Sequence, residues 1–171
     1  MTTTAPPSAA LASSPLTASE RAELLARYDN GFASIEAALA GISEEELDRR
    51  PTPDSWSARM VVHHLADSES RSYQRIRRLI AEDTPQILGY DEGHWAKVLR
   101  YDRPIAASLA VVGATRAATS ELIALLTEDE WRRLGTHSES GAYGAEEWLR
   151  VYVAHAEDHA AQIRTARGTP A

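Results

Sequence analysis

The chain contains no cysteine. That excludes disulfides, thiolate metal sites and a cysteine nucleophile, so any metal must be held by nitrogen and oxygen. A single phenylalanine stands against four tryptophans and six tyrosines. Most of the aromatic surface therefore carries a polar atom that needs a partner when buried. No apolar run approaches the roughly 20 residues of a membrane span. Basic residues are outnumbered, 18 against 25 acidic, and the net charge of −7 argues against a general nucleic-acid binder, which needs a basic face. Residues 1–15 are rich in Thr, Ala, Pro and Ser, with neither a positive start nor a sustained apolar stretch. They are expected to form a disordered tail rather than a signal peptide, which makes the cytoplasm the simplest location.

The chain as a whole is 43% apolar and 25% charged, an ordinary globular balance, and residues 16–171 are expected to form one domain. Thr17 with Glu20 fits a capping box. Leu24, Tyr28, Ile35, Ala38 and Leu39 follow at helical spacing, with Asn30-Gly31 as an interruption expected to bend the helix and Gly41 as a stop. Two prolines in R-R-P-T-P-D-S-W-S block continuation. Ser55 or Ser57 then caps a second helix to about Ala81, carrying Val62, Leu65, Ser72, Ile76 and Leu79 on one stripe. After a loop and a short helical piece, H-W-A-K-V-L, a third helix starts near Asp102 and Pro104 and runs to Thr127. Glu128 to Leu134 adds a turn. The stretch G-T-H-S-E-S-G-A-Y-G reads as an irregular loop, and the last helix spans about Ala145 to Arg167. No segment alternates at period two, so no sheet is expected. Four helices of about 20–25 residues predict an all-α four-helix bundle, with connections long enough to cross it or cover an end.

The last helix carries the chemistry. In W-L-R-V-Y-V-A-H-A-E-D-H-A-A-Q-I, His155 and His159 lie four residues apart and project from one face. At about 100° per residue, Trp148, Tyr152 and Gln162 share their stripe, which therefore faces the bundle interior. Buried imidazoles need partners for both nitrogens. Two readings stand: core histidines satisfied by backbone or carboxylates, or joint ligands of one transition metal. The zinc-protease pattern is absent, because Ala156 occupies the place of its general base and Glu157 points outward. Asp158 flanks the stripe as a candidate to orient a ring. A third ligand is expected from W-S-A-R-M-V-V-H-H-L-A-D. His63 and His64 diverge by about 100°, so periodicity alone does not choose between them. His94 and His137 fall in or near loops and read as surface residues.

The order W-S-A-R-M-V-V-H-H-L-A-D-S-E, then G-Y-D-E-G-H-W-A, then H-A-E-D-H-A-A-Q-I resembles the DinB-like superfamily, which includes the YfiT-type metal-dependent hydrolases. The resemblance covers nearly the whole chain after the tail. It points to His64, directly before Leu65, as the third ligand. It implies a four-helix bundle with His64, His155 and His159 on one divalent ion, commonly nickel or zinc, and a homodimer. Relatives within it include bacillithiol S-transferases and a mycothiol-dependent maleylpyruvate isomerase, so the implied nucleophile is water or a low-molecular-weight thiol. His63 is an addition to the pattern.

The expected function is therefore a metal-dependent enzyme acting on a small molecule, by hydrolysis or thiol transfer. The rival is a non-catalytic bundle serving as a stress or binding module. Glu69 joins Asp158 as a candidate supporting carboxylate. Arg71 and Arg75, in the basic stretch R-S-Y-Q-R-I-R-R, are candidates to hold a carboxylated cofactor, and Tyr152 is a candidate for the pocket wall.

Overall fold

The structure, a computed structural model, describes residues 14–168; most of the tail expected over 1–15 lies outside them. Four long helices carry the architecture: α1 (Ala18–Leu39), α3 (Ala58–Ala81), α5 (Ala106–Ile123) and α7 (Ala145–Arg167). Short helices α2 (Glu44–Asp48), α4 (Glu92–Val98) and α6 (Glu128–Trp131) punctuate the connections. The large packed faces are α1 on α7, α7 on α3, α3 on α5 and α5 on α1. The cyclic order is thus 1-7-3-5, and α1 and α3, consecutive among the long helices, sit across the bundle from one another. That diagonal step is what the long connections are for. Among the described residues, no helix is long and apolar enough to cross a membrane.

The ends of the helices follow local chemistry. Thr17 and Glu20 form the capping box at the start of α1, and Gly41, at φ +67°, takes the left-handed turn after it. Ser57, not Ser55, caps α3 through the Met60 amide. Two expectations for α5 shift: its first residue is Ala106, behind an Ile105 N-cap without a side-chain bond, and it ends at Ile123. Leu125, within the expected span of this helix but beyond its end, is 80% exposed. Thr127, expected as the end of α5, instead caps α6 with Glu130.

Asn30-Gly31 does not interrupt α1. One glycine costs a helix only about 1 kcal/mol, and its place here is set by packing. A Cβ at position 31 would collide with the Arg116 guanidinium.

A small sheet is present where none was expected. Strands β1 (Gln86–Ile87), β2 (Leu134–His137) and β3 (Gly141–Gly144) pair in that order, β1 parallel to β2 and β2 antiparallel to β3. Strands of two to four residues are too short to display a period-two pattern. The segment expected as an irregular loop is a hairpin, with Gly141 at φ +81° after its turn.

Two apolar clusters fill the bundle. One gathers Ile35, Val61, Val62, Leu65, Val112, Ala160 and Ile163. The other gathers Tyr28, Ile76, Leu79, Ile123, Trp148, Leu149 and Tyr152. Along α3, Glu69 falls between the residues of the two clusters and pairs with Arg116 at 2.6 Å, both being almost fully buried. Arg116 also donates to the Tyr28 carbonyl at 2.8 Å and lies over the Tyr28 ring. Isolated charges would not survive there; paired and hydrogen-bonded they cross-link α1, α3 and α5.

Candidate metal centre

α3 and α7 pack face to face, and this contact brings His64 and the His155/His159 pair together. The Nε2 atoms of His64 and His155 are 3.1 Å apart, as are those of His155 and His159. All three rings offer a nitrogen within 4.8 Å of the others, with no protein carboxylate among them. His64 is 1% exposed; His155 and His159 are half-buried.

Hydrogen bonding alone does not satisfy this arrangement. A ring nitrogen has one in-plane position, holding either a proton or a lone pair. Gln162 Oε1 accepts from His159 Nδ1–H at 2.7 Å, which leaves His159 Nε2 as a lone pair. His155 Nε2 faces both neighbours and serves only one of them. A cation at the centre would take a lone pair from each ring. Two nitrogens each about 2.0–2.1 Å from one ion stand roughly 3 Å apart, so the donor set fits a divalent transition metal.

Burial keeps the rings neutral, the form that ligates. Desolvation, with His159 as a like-charged neighbour, pushes His64 down to about 3. Desolvation and the two other rings push His155 down to about 2. His159 is also lowered by desolvation, against the opposing pull of Gln162 and Asp158. The Nδ1 atoms of His64 and His155 lack hydrogen-bond partners. Their planes are set by packing: the Trp56 ring stands edge-on to His64, centroids 5.0 Å apart, and Tyr152 does the same to His155 at 5.9 Å.

The histidine doublet divides its labour by the 100° turn between neighbours. His63 is fully buried, donating from Nε2 to the Arg103 carbonyl and accepting at Nδ1 from Ser108, both at 2.8 Å. Both nitrogens are used, so His63 ties α3 to the start of α5 and takes no part in the cluster.

Two cavities open beside the rings. One, of about 460 Å³, is bordered by Trp56, His159, Gln162, Asp54 and Glu92. The other, of about 220 Å³, is bordered by His155, Tyr152, Tyr143, Arg75, His137 and Glu92.

The DinB superfamily model matches residues 16–163. The chain belongs to the DinB superfamily. Among its DinB relatives, a protein from Oceanobacillus iheyensis is 34% identical over 71% of this chain and 71% of its own length. YfiT of Bacillus subtilis is 32% identical over 77% of this chain and 75% of its own. Both carry the name "Putative metal-dependent hydrolase". The solved YfiT structure matches with a TM-score of 0.83 at 26% identity, covering 90% of this chain and 89% of that one; it is described as "a probable metal-dependent hydrolase with an unusual four-helix bundle topology". The all-α four-helix bundle expected from the sequence is thereby that of the DinB fold.

The supporting residues expected within this DinB chain sort differently. Asp158 is exposed and makes no hydrogen bond to the rings; at the edge of the stripe it turns to solvent, and Gln162 does the anchoring. Glu69 is taken by Arg116. Arg71 lies over the rings of Tyr90 and Trp95 and donates to the Leu88 carbonyl, so it straps down the 88–95 segment. Arg75 faces the smaller cavity, donating to the Tyr152 hydroxyl at 3.0 Å and to the Leu88 carbonyl at 2.7 Å. His94 is exposed, as expected. His137, expected at the surface, is half-buried on β2 and borders that same cavity. Glu92, Tyr143 and Trp56 also reach the cavities; Trp56 and Glu92 stand in segments that carry the family resemblance, but no helix stripe marks them or Tyr143 as wall residues, because they lie outside the four long helices. Gln162, three residues after His159 on the same stripe, was within reach of the helical wheel.

Proposed function

We propose that this chain is a metal-dependent enzyme in which His64, His155 and His159 hold one divalent ion, nickel or zinc, and direct a small nucleophile at a substrate in the adjoining cavities. The observation that carries the reading is the convergence of three neutral Nε2 atoms, separated by 3.1 Å in two of the pairs, at a point where cavities open. A structural site would be closed by a fourth protein ligand; among the described residues, no fourth donor joins these three.

An ion held by three imidazoles supplies a Lewis-acidic position that lowers the pKa of a bound water or thiol. The protein's own part is positional. Gln162 fixes the tautomer of His159, and Trp56 and Tyr152 fix the planes of the other two rings. The neutral donor set leaves the ion's charge uncompensated. Because the chain has no cysteine, a thiol nucleophile would come from a low-molecular-weight thiol. The names of the relatives speak for water as the nucleophile.

The test pairs chemistry with composition. Purified protein is analysed for metal, then screened with activated esters and amides and with thiol-plus-electrophile pairs. Turnover that disappears with chelator, returns with nickel or zinc, and is lost in His155→Ala supports the proposal. Metal bound without turnover in either screen would favour the binding-module alternative.

A further inference from the structure

The smaller cavity holds opposite charges that do not meet. Arg75 projects from α3, Glu92 from α4 and Glu139 from the turn between β2 and β3, all bordering one space of about 220 Å³. Among the described residues, no ion pair within 4.0 Å joins Arg75 to either carboxylate, and neither carboxylate accepts a hydrogen bond, although both Glu92 and Arg75 are close enough to feel one another's charge. Arg75 is not free to swing over to them, since the Tyr152 hydroxyl and the Leu88 carbonyl hold its guanidinium. Glu139 lies against the backbone of Gly89, where a side chain would displace it.

A second observation points to a ligand. The Tyr143 hydroxyl is buried, in a residue only 4% exposed that borders this cavity, with no hydrogen-bond partner within 3.5 Å although the Arg75 guanidinium lies close by. Tyr90, which also borders the cavity, likewise has a buried hydroxyl with no partner within 3.5 Å, Ser68 being close by. Buried hydroxyls left unsatisfied cost stability unless something in the site bonds to them. His137 accepts at Nδ1 from the Glu139 amide, which leaves its Nε2–H as a further donor.

We infer that this cavity recognises an amino-acid-like group, its carboxylate held by Arg75 and the Tyr143 hydroxyl and its ammonium held by Glu92 and Glu139. A purely anionic ligand would meet two carboxylates, and a purely cationic one would meet a fixed guanidinium; a group carrying both charges satisfies the whole wall. The volume is roughly that of seven waters at ~30 Å³ each, which suits an amino acid or one end of a short conjugate rather than a drug-sized molecule. Burial and the nearby Glu139 charge raise the Glu92 carboxyl, and Arg75 opposes them; an ammonium between the two carboxylates would relieve that repulsion. His155 closes the cavity's inner side. The inference rests on the metal-centre reading only for what happens at that end, where the rest of the ligand would meet the ion.

The test is calorimetric titration of the full chain, as purified and after chelator treatment, with three probes. L-serine carries both charges, lactate only the carboxylate and ethanolamine only the ammonium. L-serine is expected to bind at least about tenfold more tightly than either single-charge probe, with or without metal. Arg75→Gln should reduce L-serine to the level of ethanolamine and Glu92→Gln to the level of lactate, with circular dichroism unchanged in both. Equal binding of a single-charge probe, no binding of L-serine, or discrimination that survives both substitutions would overturn the inference. Binding that vanishes with the metal would overturn it too, since L-serine would then be chelating the ion, while the metal centre would stand. Discrimination in a protein that takes up no metal would do the reverse.

Discussion

Among the described residues, Gln162 is the one side chain outside the three rings that orients a candidate ligand by hydrogen bonding, through its 2.7 Å bond to His159 Nδ1. Partners of this kind usually change metal affinity by about 10–100-fold. Gln162→Leu is therefore expected to weaken zinc or nickel binding by at least about tenfold in a chelator competition, with its melting curve little changed. Unaltered affinity would mean that packing alone orients the ring. His63 supplies the contrast. His63→Leu leaves the Arg103 carbonyl only the longer 3.4 Å bond from Arg59 and removes the acceptor of Ser108, and should cost about 1–3 kcal/mol in urea unfolding while metal content stays the same. Loss of metal in that variant would show that the two neighbouring histidines are not functionally separate. It was the family resemblance that pointed to His64; periodicity could show that consecutive residues diverge, but not which of the two faced α7. That is decided by how α3 rolls against α5 and α7, and local periodicity carries no record of it.

At the scale of elements, the long helices were legible because each carries an apolar stripe, and α1 and α3 also a side-chain cap. The bounds of α7 and the Thr17–Glu20 box are cases in point. The sheet was not legible, since pairing between Gln86–Ile87 and Leu134–His137 is a contact between distant segments too short to have a pattern. Gly31 was misread for a related reason: its role lies in Arg116 of α5, far along the chain. Alanine is the better helix former, and propensity alone predicts that Gly31→Ala stabilises. Packing predicts the opposite. Arg116 is pinned by Glu69 and the Tyr28 carbonyl and has little room to yield, so the substitution should destabilise by roughly 1–3 kcal/mol in chemical denaturation. A gain in stability would show that the buried pair is more mobile than its geometry indicates.

Over the whole molecule, the candidate centre joins two segments some ninety residues apart in a bundle whose order places α3 directly against α7. The apparent isolation of His64 from the His155/His159 pair in the sequence is a consequence of that topology. Folding also sets the charge of the centre. In the metal-stripped protein, the unfolded chain protonates its imidazoles near the ordinary value of 6.5, whereas folded His64 and His155 resist until about 3 and about 2. Depressed folded values mean that this stabilisation is complete above pH 6.5 and is lost as pH falls toward those values, by about 1.4 kcal/mol per unit for each ring inside the window. Melting temperatures of chelator-treated protein should therefore drop steadily below pH 6.5, and less steeply in His155→Phe; a flat profile would argue against buried neutral rings. The central claim, three imidazoles on one ion, is tested most directly by X-ray absorption spectroscopy of the zinc- or nickel-loaded protein. The predicted spectrum shows three imidazoles with the remaining ligands oxygen, reduced by one imidazole in His64→Ala. A metal with fewer than three imidazoles, or a spectrum unchanged by that substitution, would contradict it.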